Sequence, residues 1–368
     1  MSIIIFLLVL SLLVFVHELG HFSVAKFFGI RVDEFAIGFP PKVVSVKRGE
    51  TTYAFNLLPL GGYVKIFGEN PEEESLTGPD SARSFANKNR GIQVAVLIAG
   101  IACNIILAWV LFSLALGIGM KMVVSDYAGH GAVSDRRVVV TSVAKDSPAS
   151  KANIAVGDII QSVGESFKKN TLSADLSIGS IRDTIDQSSG RSLEVLLERD
   201  GAPRTVSVEA VEGIVPERFA LGISMEEIGT VTVPWYRAPI DGLVYTGFVV
   251  KHTALGLTQF FKELFVGTAD FNTVAGPVGI AKLVSDATNA GFTYLLTFTA
   301  MISVNLALLN LVPFPALDGG RILFVGIEAI IRRRLPINAV NWVNGAGFVL
   351  LLVFMAVITY QDILKFFH

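Results

Sequence analysis

The stretch Ile3–Ala25, IIIFLLVLSLLVFVHELGHFSVA, constrains this chain more than any other. It is long enough to cross a bilayer and apolar almost throughout, yet His17, Glu18 and His21 lie in its second half. Ionisable groups at membrane depth are costly and mark functional sites. His17 and His21 are four residues apart, so a helix stacks them one turn above the other on one face. This is the His-Glu-x-x-His pattern, in which both imidazoles bind Zn²⁺ and the carboxylate serves as general base. A cleaved signal peptide is disfavoured, because no Lys or Arg precedes the apolar run and no small-x-small site follows it. Core histidines or a proton relay would leave Glu18 without a role.

Composition agrees with a membrane setting. Of 368 residues, 52% are hydrophobic and only 17% charged, and the mean hydropathy is +0.58. A soluble chain carries nearer a quarter charged residues. The net charge of -2 argues against a nucleic-acid partner. Cys103 is the single cysteine, so no intrachain disulfide forms, and its apolar surroundings make it a small buried hydrophobe.

Four stretches are long and apolar enough to span: Ile3–Ala25, Ile92–Met120, Gly291–Val312 and Trp342–Tyr360. The basic loop Lys26–Arg90 and the run Arg332-Arg333-Arg334 belong on the cytoplasmic side by the positive-inside rule, which puts Lys121–Ala290 and both termini outside. Ile240–Phe261 contains Asp241, Lys251 and His252 and reads as an amphipathic helix in the interface rather than a fifth span. Around Arg48-Gly49-Glu50, β-rich arms predict a hairpin, followed by PLGGYVKIFGE with its Gly pair and alternating strand. Such strands either dip into the membrane, where protein or water must satisfy their backbone, or form an ordinary cytoplasmic hairpin. Dipping in, an unpaired edge would capture an extended peptide by strand addition. Asn70–Arg90 is polar and reads as a mobile loop.

In the second span, Gly100 and Asn104 lie one turn apart; Asn104 either faces the site or serves as helix-packing glue. From Val133 the pattern is α+β, with strands at Val138–Val143, Ile159–Val163, Leu193–Glu198 and Thr205–Val208 and helical or turn segments at Ser147–Ala152 and Leu176–Gln187. AGPVGIAKL (Ala275–Leu283) reads as a Gly-Pro turn leading into the third span. Then comes NLALLNLVPFPALDGGRILF, Asn305–Phe324. Pro313 and Pro315 must break the third helix, and a broken helix at this depth is tolerated only when buried or lining a cavity. Asp318 just beyond would make a good helix N-cap. A His₂ zinc site, however, lacks a third protein ligand, and Asp318 is the only acid in or near the third span, which assigns it to the metal. Asn310 either bonds a substrate backbone or packs.

The phrase SPASKANIAVGDIIQSVG (Ser147–Gly164) resembles a PDZ domain. With HELGH (His17–His21), PLGGYVKIFGE (Pro59–Glu69), GIACN (Gly100–Asn104), GPVGI (Gly276–Ile280) and NLVPFPALDGG (Asn310–Gly320), the chain resembles the site-2 protease family of intramembrane zinc metalloproteases, in its bacterial PDZ-bearing branch. Members of that branch best known for cutting anti-sigma factors carry two PDZ domains, and this chain has room for one.

The resemblance implies a multi-pass α-helical membrane protein with about four transmembrane helices, a membrane-associated β-hairpin or sheet and an inserted α+β PDZ domain. The expected parts are 1–120, with two spans, the metal motif and the β-loop; 121–228, the extracytoplasmic PDZ domain; 229–290, an interfacial region; and 291–368, the last two spans. Zn²⁺ would be held by His17, His21 and Asp318, with Glu18 as base. The strand Gly61, Gly62, Tyr63, Val64 and Lys65 would hold an unwound substrate segment, with Asn310 and Asn104 bonding its backbone. The expected setting is a bacterial inner membrane with the catalytic site toward the cytoplasm. The expected substrates are single-span membrane proteins such as anti-sigma factors or remnant signal peptides. The PDZ domain would bind a chain end or act only as a steric filter. The alternative from another class is a non-catalytic PDZ-bearing membrane scaffold.

Overall fold

A computed structural model describes residues 2–70, 73–127, 129, 131–164, 176–199, 201–215, 218–269, 271 and 274–367. Chain order runs α1 (Ser2–Phe27), β1 (Val32–Arg48), β2 (Thr51–Ile66), α2 (Glu73–Thr77), α3 (Arg90–Ile118), β3 (Met120–Val123) and β4 (Ala132–Val143). Next come α4 (Pro148–Lys151), β5 (Ile159–Gly164), α5 (Ile178–Gln187), β6 (Ser192–Arg199), β7 (Ala202–Glu209), β8 (Val211–Val215), β9 (Arg218–Ala220) and β10 (Ile223–Thr232). The last part is helical: α6 (Ala238–Val266), α7 (Pro277–Ala290), α8 (Phe292–Leu311), α9 (Asp318–Ile331) and α10 (Ile337–Phe367). The chain divides into one unit of residues 1–115 with 242–368 and another of 116–241.

Among the described residues, four helices are long and apolar enough to cross a membrane: Ile3–Phe27, Arg90–Ile118, Phe292–Leu311 and Ile337–Lys365. The protein is an integral membrane protein. Helix α6 is long but carries Asp241, Lys251, His252, Lys262 and Glu263, and it is not among the four. Two sequence expectations fail here. The Gly-Pro turn at Ala275–Leu283 is instead the start of α7, a 14-residue helix with Pro277 at its first turn. There the fixed proline φ suits helix initiation, and Asp362 Oδ2 accepts from Gly279 N at 2.7 Å. The loop between Asn70 and Arg90 holds α2 and two 3₁₀ turns at Ser81–Arg83 and Phe85–Asn87. It is pinned down: Arg31 bonds Asp80 at 2.8 Å, and Glu50 takes Lys26 at 2.6 Å and Arg83 at 2.6 Å. The two cations hold the Glu50 carboxyl down to about 2.

β1 and β2 form more than the hairpin that the sequence predicts. The segment 51–56 pairs with 42–48, as in Val46↔Tyr53, and also with 34–37, as in Phe35↔Tyr53. The segment 34–37 pairs again with 62–65, as in Phe35↔Val64 and Ile37↔Gly62. Two long strands therefore build four antiparallel rows, and 62–66 is an outer row. Ser11 Oγ on α1 donates to the Pro59 carbonyl at 2.7 Å and ties the sheet to the helix. Ala25, Ile30, Val32, Ile66, Phe85, Val96, Leu97 and Val325 pack into one core where α1, the sheet, α3 and α9 meet.

The second unit is a six-stranded antiparallel sheet in the order β3-β10-β4-β5-β6-β7. Val140, Ile160, Ile181, Leu193, Val195 and Leu197 lie in its core. The predicted strands are present with longer ends. β3 and β10 go beyond the prediction, and Met120, expected in the second span, belongs to β3. Buried Asp158 accepts from Arg199 Nε at 2.6 Å, from Arg199 Nη2 at 2.8 Å and from Ala155 N at 2.9 Å. Arg199 holds its carboxyl below the usual carboxylate range.

A carboxyl whose folded pKa is depressed adds stability that is full above its unfolded value near pH 4 and fades as pH falls through and below it. Asp158→Asn should cost this unit about 2 kcal/mol, less than a fully buried pair because Arg199 is partly exposed. It should also remove that acid dependence. Hydrogen exchange of β5 and β6 at graded pH reads both effects.

Candidate metal centre

α1 carries no helix breaker before its histidines, so the four-residue spacing stacks the two rings edge to face, with centroids 4.7 Å apart. Both are 7% exposed. Asp318 arrives from the far end of the chain. Helix α8 stops at Leu311, before Pro313 and Pro315, neither of which can donate to a continuing helix. Helix α9 opens at Asp318, but Leu317 holds the cap position and no side chain caps it. The Asp318 carboxylate turns to the imidazoles instead. Its Oδ2 lies 3.1 Å from His17 Nε2 and 3.3 Å from His21 Nε2, and the two Nε2 atoms are 3.1 Å apart. Among the described residues, these three form the metal-capable cluster.

The protonation pattern follows from the neighbours. His21 Nδ1 lies 2.8 Å from the Val96 carbonyl, which only accepts, so Nδ1 carries the proton and the neutral ring presents Nε2 as a lone pair. His17 Nδ1 lies 3.3 Å from the Asn104 side-chain amide. When His17 offers Nε2 as a ligand, its Nδ1 also bears the proton and needs an acceptor. The Asn104 Oδ1 is buried with no partner; turning the amide places that oxygen on the ring and fixes the ligand tautomer. Two imidazole lone pairs and a carboxylate in mutual contact repel one another unless a cation lies among them. Tetrahedral zinc with bonds of 2.0–2.1 Å sets its ligand atoms about 3.3 Å apart. The observed separations of 3.1 to 3.3 Å and the N/N/O donor set fit that ion.

Glu18 lies beside this cluster, and its Oε2 accepts from Val64 N at 3.0 Å. Glu18 is thus tied to the outer row of the sheet. The Gly62 backbone lies so close to its neighbour that a Cβ there would meet the Ala36 carbonyl oxygen at 2.6 Å. Gly61 and Gly62 are buried, Lys65 is exposed, and the Tyr63 hydroxyl donates to Glu34 at 3.0 Å. Asn310 Nδ2 lies 3.5 Å from His17 Nε2. The structure therefore brings Asn104 and Asn310 to His17, and Val64 to Glu18.

Sequence reasoning did not single out Arg321 and Glu69. They form an ion pair that links α9, one turn after Asp318, to the chain just beyond β2. Their signal was a lone Arg one turn after Asp318 in DGGR, beyond the third span, with an acid closing KIFGE. The Val96 carbonyl was also missed; a backbone acceptor leaves no mark in a sequence.

Gly100 on α3 makes room for both rings. A Cβ there would meet His21 Nε2 at 2.5 Å, His21 Cε1 at 2.7 Å and His17 Cε1 at 2.8 Å. Neither ring can retreat without leaving Val96 or Asp318. Gly100→Ala should lower zinc affinity about 10- to 100-fold, as for lost support of a metal ligand, while the protein still folds. Metal titration of the purified variant measures this.

The model of peptidase family M50 matches residues 5–354. A relative from Clostridium perfringens, which bears the name putative zinc metalloprotease, is 37% identical over 367 residues, covering 99% of each chain. One from Clostridium acetobutylicum is 32% identical over 366 residues, covering 98% of this chain and 97% of the relative. Zinc metalloprotease RasP of Geobacillus kaustophilus is 31% identical over 446 aligned positions, covering 100% of this chain and 98% of the relative. With the converged donors, the four apolar helices and this similarity over nearly its whole length, the chain belongs to peptidase family M50, the site-2 protease family, and is an intramembrane zinc metalloprotease.

Proposed function

We propose that the protein hydrolyses peptide bonds within or near the transmembrane segment of single-span membrane proteins, with His17, His21 and Asp318 holding zinc and Glu18 as the base. The observation that carries this reading is the bond from Val64 N to Glu18 Oε2 at 3.0 Å. It sets the base one hydrogen bond from the outer row 62–66, so a peptide laid along that row as an added strand would pass the metal ligands. Membrane helices hide their carbonyls in internal hydrogen bonds, so a substrate must be drawn out into extended form before attack, and an unpaired row offers that form partners.

Zinc, when bound, supplies a Lewis acid that acidifies a water and polarises a carbonyl. The chain's residues do the rest. Glu18 keeps Oε2 on Val64, and Oε1 is left to take the proton of the attacking water and return it to the leaving amine. Val96 and Asn104 hold the ring tautomers. Asn310, near His17, and the backbone of Gly61–Lys65 would align the peptide. The Arg321–Glu69 pair would hold Asp318 in step with the sheet.

Residues 121–228 are proposed to be a single extracytoplasmic PDZ domain, supported by the Ser147–Gly164 phrase on α4 and β5 within the six-stranded sheet. It would exclude substrates that still carry bulky outer domains. The site is proposed to lie toward the cytoplasmic side of a bacterial inner membrane, and α6 to lie in the interface.

Glu18→Gln should keep zinc and lose at least about 10²-fold in cleavage of a model single-span substrate. Asp318→Asn should lose zinc as well. Metal content measured beside cleavage separates the two, and retained proteolysis in Glu18→Gln would remove Glu18 from the mechanism. For orientation, topology reporters at Gly62 and Gly201 should report opposite sides of the membrane; the same side for both would overturn the arrangement.

A further inference from the structure

A second site lies away from the metal ligands, where α9 ends and α10 begins. A cavity of about 470 Å³ is lined by Arg90, Glu328, Ala329, Arg332, Arg333 and Arg334. Four guanidinium groups face one carboxylate, and that carboxylate is fully used. Glu328 Oε2 takes Arg90 at 2.7 Å, and its Oε1 accepts from Leu335 N at 2.9 Å. Among the described residues, Arg334 bonds neutral oxygens, Asn87 Oδ1 at 2.6 Å and the Ala86 carbonyl at 3.2 Å. Arg332 and Arg333 have no ion-pair partner among the described residues. The α9 C-terminus adds about half a negative charge, which leaves an excess of more than two positive charges around the cavity.

Its depth identifies the ligand class. Arg90 is the first residue of one candidate span, and Ile337, three residues after Arg334, is the first of another. Three residues reach at most about 10 Å, comparable to the headgroup layer outside the hydrocarbon core. Exposed apolar side chains lie near the arginines in the chain: Ile330, at the end of α9, is 83% exposed and Trp342, early in α10, is 79% exposed, a surface for acyl chains and an interfacial anchor. We propose that this cavity binds the phosphate headgroup of an acidic phospholipid, with the arginines on the phosphate and the tails along Ile330 and Trp342. Guanidinium forks suit phosphate oxygens, and basic pockets between membrane helices are built for such headgroups. A free phosphate would use the same arginines but gain nothing from the apolar flank.

The test is native mass spectrometry of the full-length protein in detergent with added phosphatidylglycerol, phosphatidylcholine or inorganic phosphate. Phosphatidylglycerol should be retained in preference to phosphatidylcholine, and Arg332→Gln/Arg333→Gln should bind it about 30-fold more weakly. The control Lys145→Gln/Lys151→Gln, on the other unit, should bind as the parent does. Arg332→Lys/Arg333→Lys, which keeps the charge but not the fork, should bind more tightly than the Gln pair, so loss in the Gln pair is not read from a misfolded protein. Equal retention of the two lipids, no loss in the Gln pair, the same loss in the Lys145/Lys151 pair, or displacement of phosphatidylglycerol by equimolar inorganic phosphate would each overturn the proposal. Bound lipid is counted without turnover, so its failure is distinguishable from a failure of the proteolytic reading.

Discussion

Three lone-pair donors held in contact inside an apolar layer are the constraint from which the rest of the structure follows. His17 Nε2, His21 Nε2 and Asp318 Oδ2 lie 3.1 to 3.3 Å apart, and without a cation among them they repel. Each is held there by something that cannot yield cheaply. His21 is anchored on the Val96 carbonyl, His17 is flanked by two amides, and Asp318 sits on the first turn of a helix whose start is fixed by two prolines. The absent side chain of Gly100 is as much part of the site as the ligands, since any Cβ would occupy the space of both rings.

The sheet follows from the same constraint. A lone acid such as Glu18 in hydrocarbon is expensive, and Val64 N supplies one bond to it. That bond requires a row whose outward amides are not consumed by a further strand. The row 62–66 meets this because β1 and β2 fold back and pair twice, which puts it at the rim. The cost of an unpaired edge in a membrane is the same property that lets it accept a partner strand. The bond to Glu18 and the open edge therefore depend on the same row.

Much of this was legible in the sequence, and the reasons are local. A helical repeat of four aligns His17 with His21, two prolines end α8 near where expected, and an isolated acid beyond them points to the metal. What escaped was geometry that depends on distant partners. The hairpin around Gly49 was visible, but its second pairing is set by long-range register. α7 was read as a turn because its Gly-Pro start is the same signal as a turn; the residue that favours helix, Asp362, is 83 positions away from the amide it accepts from. The segment after Asn70 looked mobile because it is polar. Its order comes from ion pairs of Asp80 to Arg31 and of Arg83 to Glu50, which composition does not show. The Asn104 amide could be read as packing or as part of the site, and only the fold places it 3.3 Å from His17.

The assembly of the site also bears on how the membrane-embedded unit holds together. α1, α3, α9 and the chain just beyond β2 each contribute a group that is costly alone: the imidazoles, the Asn104 amide, Asp318 with Arg321, and Glu69. Residues 17 and 318 meet across 301 positions of chain, and Asn104 reaches His17 across 87. None of these groups is satisfied until the others arrive, so partial folding leaves unpaired polar atoms in hydrocarbon and is disfavoured. A metal that binds only the assembled set adds its binding free energy to the native state. Catalysis and cohesion thus draw on the same few contacts. A substitution at Gly100, whose missing Cβ makes room for both rings, acts first on the metal and through it on the stability of the whole unit.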